Sequence, residues 1–508
     1  MTEPAAESTR TEVGGISAMG AETSGAETSG AADTGAPGSD LKDLSLRSAE
    51  ELVSGYRAGD FTPDDAVRAA LDAVARHDPE VNAFVLVDEG SALAMAREST
   101  ARWRAGTPLG PVDGVPMSIK DIFLTRGWPT LRGSALIDEK GPWDADAPAV
   151  ARLREAGAVF LGKNTTPEFA WKGVTDSLRH GATGNPWGAD LTSGGSSGGA
   201  ATAVGLGMGT WSIGTDGGGS VRIPASFTGT VALKPTFGRI PLFPPSPYGT
   251  LAHAGPMTRS VRDAAVLLDV LVRPDSRDWA ALDRVSGSYL DGIEDGVEGL
   301  RIALSPTLGY GTNDPEVETA VRAAAQVFVD AGAHVVEVDP DITDCVDAFH
   351  VLWFTGAAKV IAHYGEGALE RIDPRLRRAI IDHGLEASAS DYLDAMAVRM
   401  DLGVRMGAFH EQYDLLLTPT MPIAAFPRGQ DAPDGWPSTL WTSWTPYTYP
   451  FNMTQQPALS VPCGLTSDRR PIGLQIIGPR HADALTLRAG RAFEQATQWH
   501  RQVPTLLS

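Results

Sequence analysis

Two serine-bearing glycine clusters and one lysine supply the residue types from which acyl-transfer chemistry could be built. Residues 192–235 read TSGGSSGGAATAVGLGMGTWSIGTDGGGSVRIPASFTGTVALKP and set Ser196, Ser197 and Ser220 among glycines. Gly-rich chain lets backbone N–H groups approach a ligand closely, and a serine among such donors is where an acyl-transfer nucleophile would sit. A flexible Gly/Ser linker would lack apolar periodicity. Here Ala200, Ala201, Ala203, Val204 and Leu206 follow the first cluster, while Trp211 and Ile213 precede the second. The run therefore reads as turn, helix, strand, turn.

The lysine lies upstream, in GVPMSIKD at residues 114–121, where Lys120 closes an apolar, strand-like run of Val115, Met117 and Ile119. It is one of only seven lysines in the chain. Burial would lower its pKa toward a value at which the amine can act as a base. On this segment alone, an ammonium snorkelling into water from a strand end is the more ordinary expectation.

These residues must be positioned by α/β structure. Ser48 with Glu51 makes a capping-box pattern for a first helix, and Thr62-Pro63-Asp64-Asp65 starts a second. A strand is predicted over 82–87, a helix over 90–105, an amphipathic helix over 144–157, a strand over 158–161 and a helix start at Thr166-Pro167-Glu168. The alternation returns with a strand over 301–304, a helix over 315–329 and a strand over 334–338. A helical excursion follows over 347–411, then strands over 414–417, 458–461 and 472–477, and a final helix over 482–498. This pattern implies one large α/β domain over 41–508, a mixed twisted β-sheet with helices on both faces. Residues 1–40, rich in Ala, Gly, Ser and Thr and carrying the repeat GAETSGAETSG, are expected to be a disordered tail. The aromatic and proline-rich residues 436–451 either line an apolar substrate site or pack on one another.

Composition narrows the function classes. A 508-residue chain with 42% hydrophobic and 21% charged residues has ample material for a large core. A formal net charge of −21 without a basic stripe argues against nucleic-acid binding. Cys345 and Cys463 cannot form a disulfide framework or a zinc site, and the ten histidines show no HExxH-type spacing, so no metal is expected. Neither glycine cluster continues into the Gly-Lys-Ser/Thr of a phosphate-binding loop, and Gly205, Gly207 and Gly209 lack GxGxxG spacing. No targeting segment or membrane-spanning run is read in the sequence, and a cytoplasmic location is expected.

Taken together, GVPMSIKD, TSGGSSGGAA, GTDGGGSVRIPASFTGTVALKPTFGR, FNMTQQPALSVPCG and GLQIIG resemble the amidase signature family of serine hydrolases, in the family's order and across about residues 45–500. The resemblance implies a Ser–cis-Ser–Lys triad: Ser220 as nucleophile, Ser196 as bridging serine, Lys120 as base, and a cis bond between Gly195 and Ser196. Ser196 and Ser220 stand twenty-four residues apart, as in the family, which selects Ser196 rather than Ser197 as the bridge. By the same resemblance the N–H groups of Gly217, Gly218, Gly219 and Ser220 form an oxyanion hole, while Ser197, Asp216 and Arg222 hold the loop and the relay in place. Position 217 is more often β-branched in the family, so Gly217 is a departure expected to loosen the loop. No cofactor is implied. The expected activity is hydrolysis of an amide, with aryl amides, carbamates and esters open, and the apolar segment 242–251 leans toward an apolar or aromatic small-molecule substrate. The alternative is the amidase subunit of a tRNA-dependent amidotransferase, which would need partners. A catalytically dead scaffold would retain the fold alone.

Overall fold

A computed structural model describes residues 44–508; the expected tail over 1–40 lies outside the described residues. The main sheet has eleven strands: β1 (Phe84–Val87), β2 (Pro116–Lys120), β3 (Val159–Asn164), β4 (Trp211–Asp216), β5 (Val231–Lys234), β6 (His253–Thr258), β7 (Arg301–Leu304), β8 (His334–Glu337), β9 (Leu415–Pro419), β10 (Ala458–Leu465) and β11 (Pro471–Ile477). Their spatial order is β1-β3-β2-β4-β6-β5-β10-β11-β9-β7-β8. β2 runs parallel to both β3 and β4, whereas β4, β6, β5, β10, β11 and β9 pair antiparallel in succession. The sheet is mixed, as the alternation predicted.

Helices cover both faces because successive strand residues point to opposite sides. On β5, Leu233 packs into the larger core with Val261, Leu268, Leu487 and Phe493, from the helices Val261–Leu271 and Asp483–Thr497. Its neighbour Ala232 faces the other way, onto Ala200, Ala201, Val221 and Ala225. That second face is covered by the short helices Gly198–Gly205 and Arg222–Thr228. Small residues there let both serine-bearing turns come close to the sheet. Both predicted capping boxes form, at Ser48 with Glu51 and at Thr62 with Asp65.

Two local expectations fail. The helix predicted from Thr166-Pro167-Glu168 is only a 3-10 turn, Glu168–Ala170, because Phe169 and Ala170 take left-handed backbone at φ 51° and 60°. The amphipathic helix predicted from 144 begins at Pro148, where a proline fits the first turn. The helical excursion resolves into Val346–Ala362, Pro374–His383 and Ala389–Gln412. It is tied to the sheet domain by Arg375, which pairs with Asp176 at 2.8 Å and Asp431 at 3.0 Å.

Candidate active site

The site lies where parallel strands β2 and β4 end side by side. β2 ends in Lys120, β4 ends in Thr215 and Asp216, and the turn Gly194–Ser197 crosses in front before its helix begins at Gly198. The carboxyl ends of parallel strands are the usual place for ligand chemistry in such sheets. The Gly195–Ser196 peptide is cis, and Ser197 N–H donates to the Ser220 carbonyl at 3.1 Å, joining the two serine turns.

Lys120 is fully buried, so the snorkelling expectation for this strand-end lysine is overturned. Its Nζ donates to Ser196 Oγ at 2.7 Å, Ser197 Oγ at 2.8 Å and Thr215 Oγ1 at 2.8 Å. Burial by itself does not single it out. Lys163 is equally buried but faces Asp121 at 3.0 Å, Lys172 faces Asp176 at 2.5 Å and Asp431 at 2.9 Å, and Lys234 donates to the carbonyls of Gln456 and Pro235. Among the described residues, the hydrogen-bond partners of Lys120 Nζ are hydroxyls alone. Burial holds its pKa well below the usual lysine value, and the through-space attraction of Asp216 only partly opposes that shift.

The two adjacent serines are not equivalent. Ser197 Oγ donates to the Thr215 carbonyl at 3.2 Å, so its proton is committed and its lone pairs serve Lys120. Ser196 Oγ has Lys120 as its sole hydrogen-bond partner among the described residues. A hydroxyl can donate one proton and accept others, so Ser196 is the one able to accept from a third group while donating to a neutral amine. Ser196 and Ser220 both line one cavity. Among the described residues their hydroxyls make no direct hydrogen bond, a contact that catalytic groups often complete only with substrate bound.

The loop before Ser220 is held by charge. Asp216 accepts from Gly219 N–H at 2.8 Å and Val221 N–H at 3.2 Å. Burial alone would raise its carboxyl, but the Arg222 guanidinium, bidentate at 2.9 Å on both oxygens, drives it far below the usual carboxylate range. Arg222 uses all five of its N–H donors: two on Asp216 and three on the Thr448 carbonyl, Gln475 Oε1 and Asn452 Oδ1. Because Gly219 N–H is occupied by Asp216, the expected oxyanion donor at Gly219 is corrected. Gly217, Gly218 and Ser220 keep N–H groups with no protein acceptor among the described residues.

A family profile described as Amidase matches residues 65–487. The chain belongs to the amidase family. It is 37% identical over 492 residues to a glutamyl-tRNA(Gln) amidotransferase subunit of Myxococcus xanthus (strain DK1622), covering 91% of this chain and 99% of the relative. It is 36% identical over 470 residues to an acylamidase of Rhodococcus erythropolis, covering 91% and 98%. Among solved structures, a bacterial aryl acylamidase of the amidase signature enzymes superposes with a TM-score of 0.84 at 30% identity, over 90% of this chain and 98% of that one.

In this amidase the cavity wall is mostly apolar. Residues 242–248, expected to favour an apolar substrate, line it together with Phe123, Phe169 and Trp353. Residues 436–451 are not among its lining, and the structure corrects both expectations for them: buried, they pack on rings of other elements, Trp444 on Phe227, Tyr449 on Phe349, and Trp441 on Phe349 and Trp353, with Trp441 backing the glycine loop at Gly218. They support it from there, since Thr448 Oγ1 donates to the Gly218 carbonyl at 2.7 Å. The loosening expected from Gly217 is also corrected. A Cβ at 217 would stand 2.6 Å from Trp353 Cζ3, and one at 218 would stand 2.6 Å from Trp441 Cη2. The amidase fills the missing side-chain space with indole.

Sequence reasoning missed Thr215, whose hydroxyl meets Lys120, and gave no role to Asn452 or Gln475. All three lie inside the motifs GTDGGGS, FNMTQQPALS and GLQIIG, and polar residues within otherwise apolar strand and helix starts were the available signal. Among the described residues no helix is long and apolar enough to cross a membrane.

Proposed function

We propose that this amidase works as a free-standing hydrolase of amide-type acyl bonds, with aryl amides the favoured class, through an acyl-enzyme on Ser220. The observation that carries the reading is Lys120, buried among three hydroxyls with no ion-pair partner among the described residues, beside a cavity that Ser196 and Ser220 line.

With substrate bound, Ser220 Oγ attacks the carbonyl carbon, its proton passes to Ser196 Oγ, and the Ser196 proton passes to neutral Lys120. The N–H groups of Gly217, Gly218 and Ser220 receive the developing oxyanion; one such donor is worth about 3–4 kcal/mol. When the C–N bond breaks, the Lys120 ammonium returns its proton through Ser196 to the departing nitrogen, because an amide anion is a very poor leaving group. Water then attacks the acyl-enzyme and gives its proton to the same relay. Release of the acid restores Ser220, Ser196 and neutral Lys120. The apolar wall from residues 242–248 supports an apolar or aromatic substrate body.

The likeness to the amidotransferase component favours a second reading in which the chain acts inside a complex. The test is the purified chain alone, without partners or ATP, against matched p-nitroanilides, p-nitrophenyl esters, aryl carbamates and primary amides, with Ser220→Ala beside it. Serine-dependent release from at least one class is expected. Labelling of Ser220 by a fluorophosphonate with no release from any class would reject the free-standing reading in favour of the complex.

A further inference from the structure

We infer that Arg132 is a specificity-determining residue that receives a carboxylate carried by the substrate, so that the preferred amides are anionic, with an apolar stretch between the scissile carbonyl and the charged end. The inference rests on the hydrolase reading above and names its substrate class. Among the described residues, Arg132 is the one charged side chain lining the cavity shared by Ser196 and Ser220.

Its guanidinium has no hydrogen-bond or ion-pair partner among the described residues, and its Nε is buried and unsatisfied. The nearby carboxylates are committed elsewhere. Asp121 accepts from Leu131 N–H at 3.2 Å and pairs with Lys163, while Glu168 accepts from Ser134 Oγ and Asp373 N–H, both at 2.6 Å. An arginine against apolar walls, stripped of part of its water and given no counter-charge, is strongly attractive to an anion. Its planar fork matches a carboxylate bidentately.

The backbone shows that this placement is imposed. Arg132 has φ 53°, a left-handed conformation that side-chain-bearing residues rarely adopt, and Phe169 and Ala170 on the same wall share it. The two strained segments are joined, since Phe169 N–H donates to the Arg132 carbonyl at 2.8 Å. Strained residues persist where surrounding structure over-determines them, and they cluster at ligand-binding walls. Here the strain aims one cation into an apolar cavity.

The test compares glutaryl p-nitroanilide with pentanoyl p-nitroanilide, which share chain length and differ in the terminal carboxylate. The wild type is expected to favour the glutaryl compound by at least about tenfold in kcat/KM. Arg132→Asn, chosen because asparagine tolerates left-handed backbone, is expected to abolish or invert that ratio, and Arg132→Lys to keep part of it. A wild-type ratio at or below one, or a ratio unmoved by Arg132→Asn, overturns the inference. Calorimetry of glutaranilic acid and its methyl ester with Ser220→Ala, with and without Arg132→Asn, needs no turnover. Selective binding of the acid that Arg132→Asn removes, in a protein that releases product from none of the four substrate classes above, would reject the hydrolase reading and uphold Arg132. Equal binding of acid and ester overturns Arg132 whatever the enzyme hydrolyses.

Discussion

The indole of Trp353 occupies the place of a side chain at residue 217: a Cβ built there would lie 2.6 Å from Cζ3 and 3.0 Å from Cη2. Trp353 is itself clamped, stacked on Tyr248 at 3.7 Å between ring centroids and packed on Phe349 at 5.4 Å. Gly217→Val must therefore displace either the indole or the loop that carries a proposed oxyanion donor. A fall in kcat of about 10²–10³ is expected, comparable to the loss of one such donor. Far-ultraviolet dichroism should remain native. Trp353→Leu in the same chain is expected to restore part of the rate, a coupling that a double-mutant cycle measures; normal kcat in Gly217→Val alone would show that the packing does not hold the loop.

Ser220→Ala is expected to abolish turnover while the fold stays intact, and Lys120→Ala to leave a severe defect that rises only in part at high pH. Near-normal rates in either variant would end the triad assignment.

The adjacent serines separate by mutation. Ser196→Ala removes the hydroxyl whose single partner among the described residues is Lys120, and a kcat loss of about 10²–10⁴ is expected, the range for general acid–base catalysis. Ser197→Ala deletes one of three acceptors of the Lys120 amine and a contact to Thr215, with a smaller effect. A larger loss in Ser197→Ala would move the relay to that residue.

The acidic limb of the pH–rate profile should follow Lys120. Its pKa in the fold is held below the free-lysine value by burial, so the neutral, base-competent amine accumulates as pH rises through that lowered value. Activity should therefore climb with pH well below the ordinary lysine range near 10.4. The same shift acts on stability. Between the lowered folded value and the unfolded value the unfolded chain binds more protons, so wild type gains stability relative to Lys120→Met as pH rises. Paired thermal melts from pH 7 to 10 check the sign; a difference independent of pH would mean that Lys120 stays charged in the fold.

Asp216 and Arg222 are fully buried partners, and removing one leaves the other charge uncompensated. Asp216→Ala is expected to cost about 3–5 kcal/mol in denaturant unfolding as well as activity. A loss under about 1 kcal/mol would show that Asn452 and Gln475 hold Arg222 without it.

Residue order and spacing determined much of the element succession, though not β5, β6 or the helix Val261–Leu271, as well as both capping boxes and the mixed sheet, while motif resemblance grouped Lys120, Ser196 and Ser220 as candidates. Those features rest on local periodicity, turn chemistry and motif order, which are written along the chain. Tertiary structure decided what depends on the covering of one element by another. Lys120 is buried because turns from residues 194–197 and strand β4 close over the end of β2; its own segment was equally suited to an exposed ammonium. Ser196 differs from Ser197 because one carbonyl, that of Thr215, captures one hydroxyl and not the other. Gly219 N–H was spent on Asp216, a choice made by the position Arg222 gives that carboxylate. Trp353 reached Gly217 from a helix more than a hundred residues away, and Arg132 is left in the cavity without a partner among the described residues because its neighbours' carboxylates are bound elsewhere. Such outcomes are set by which groups are left to satisfy one another after the elements pack, and no local pattern encodes that.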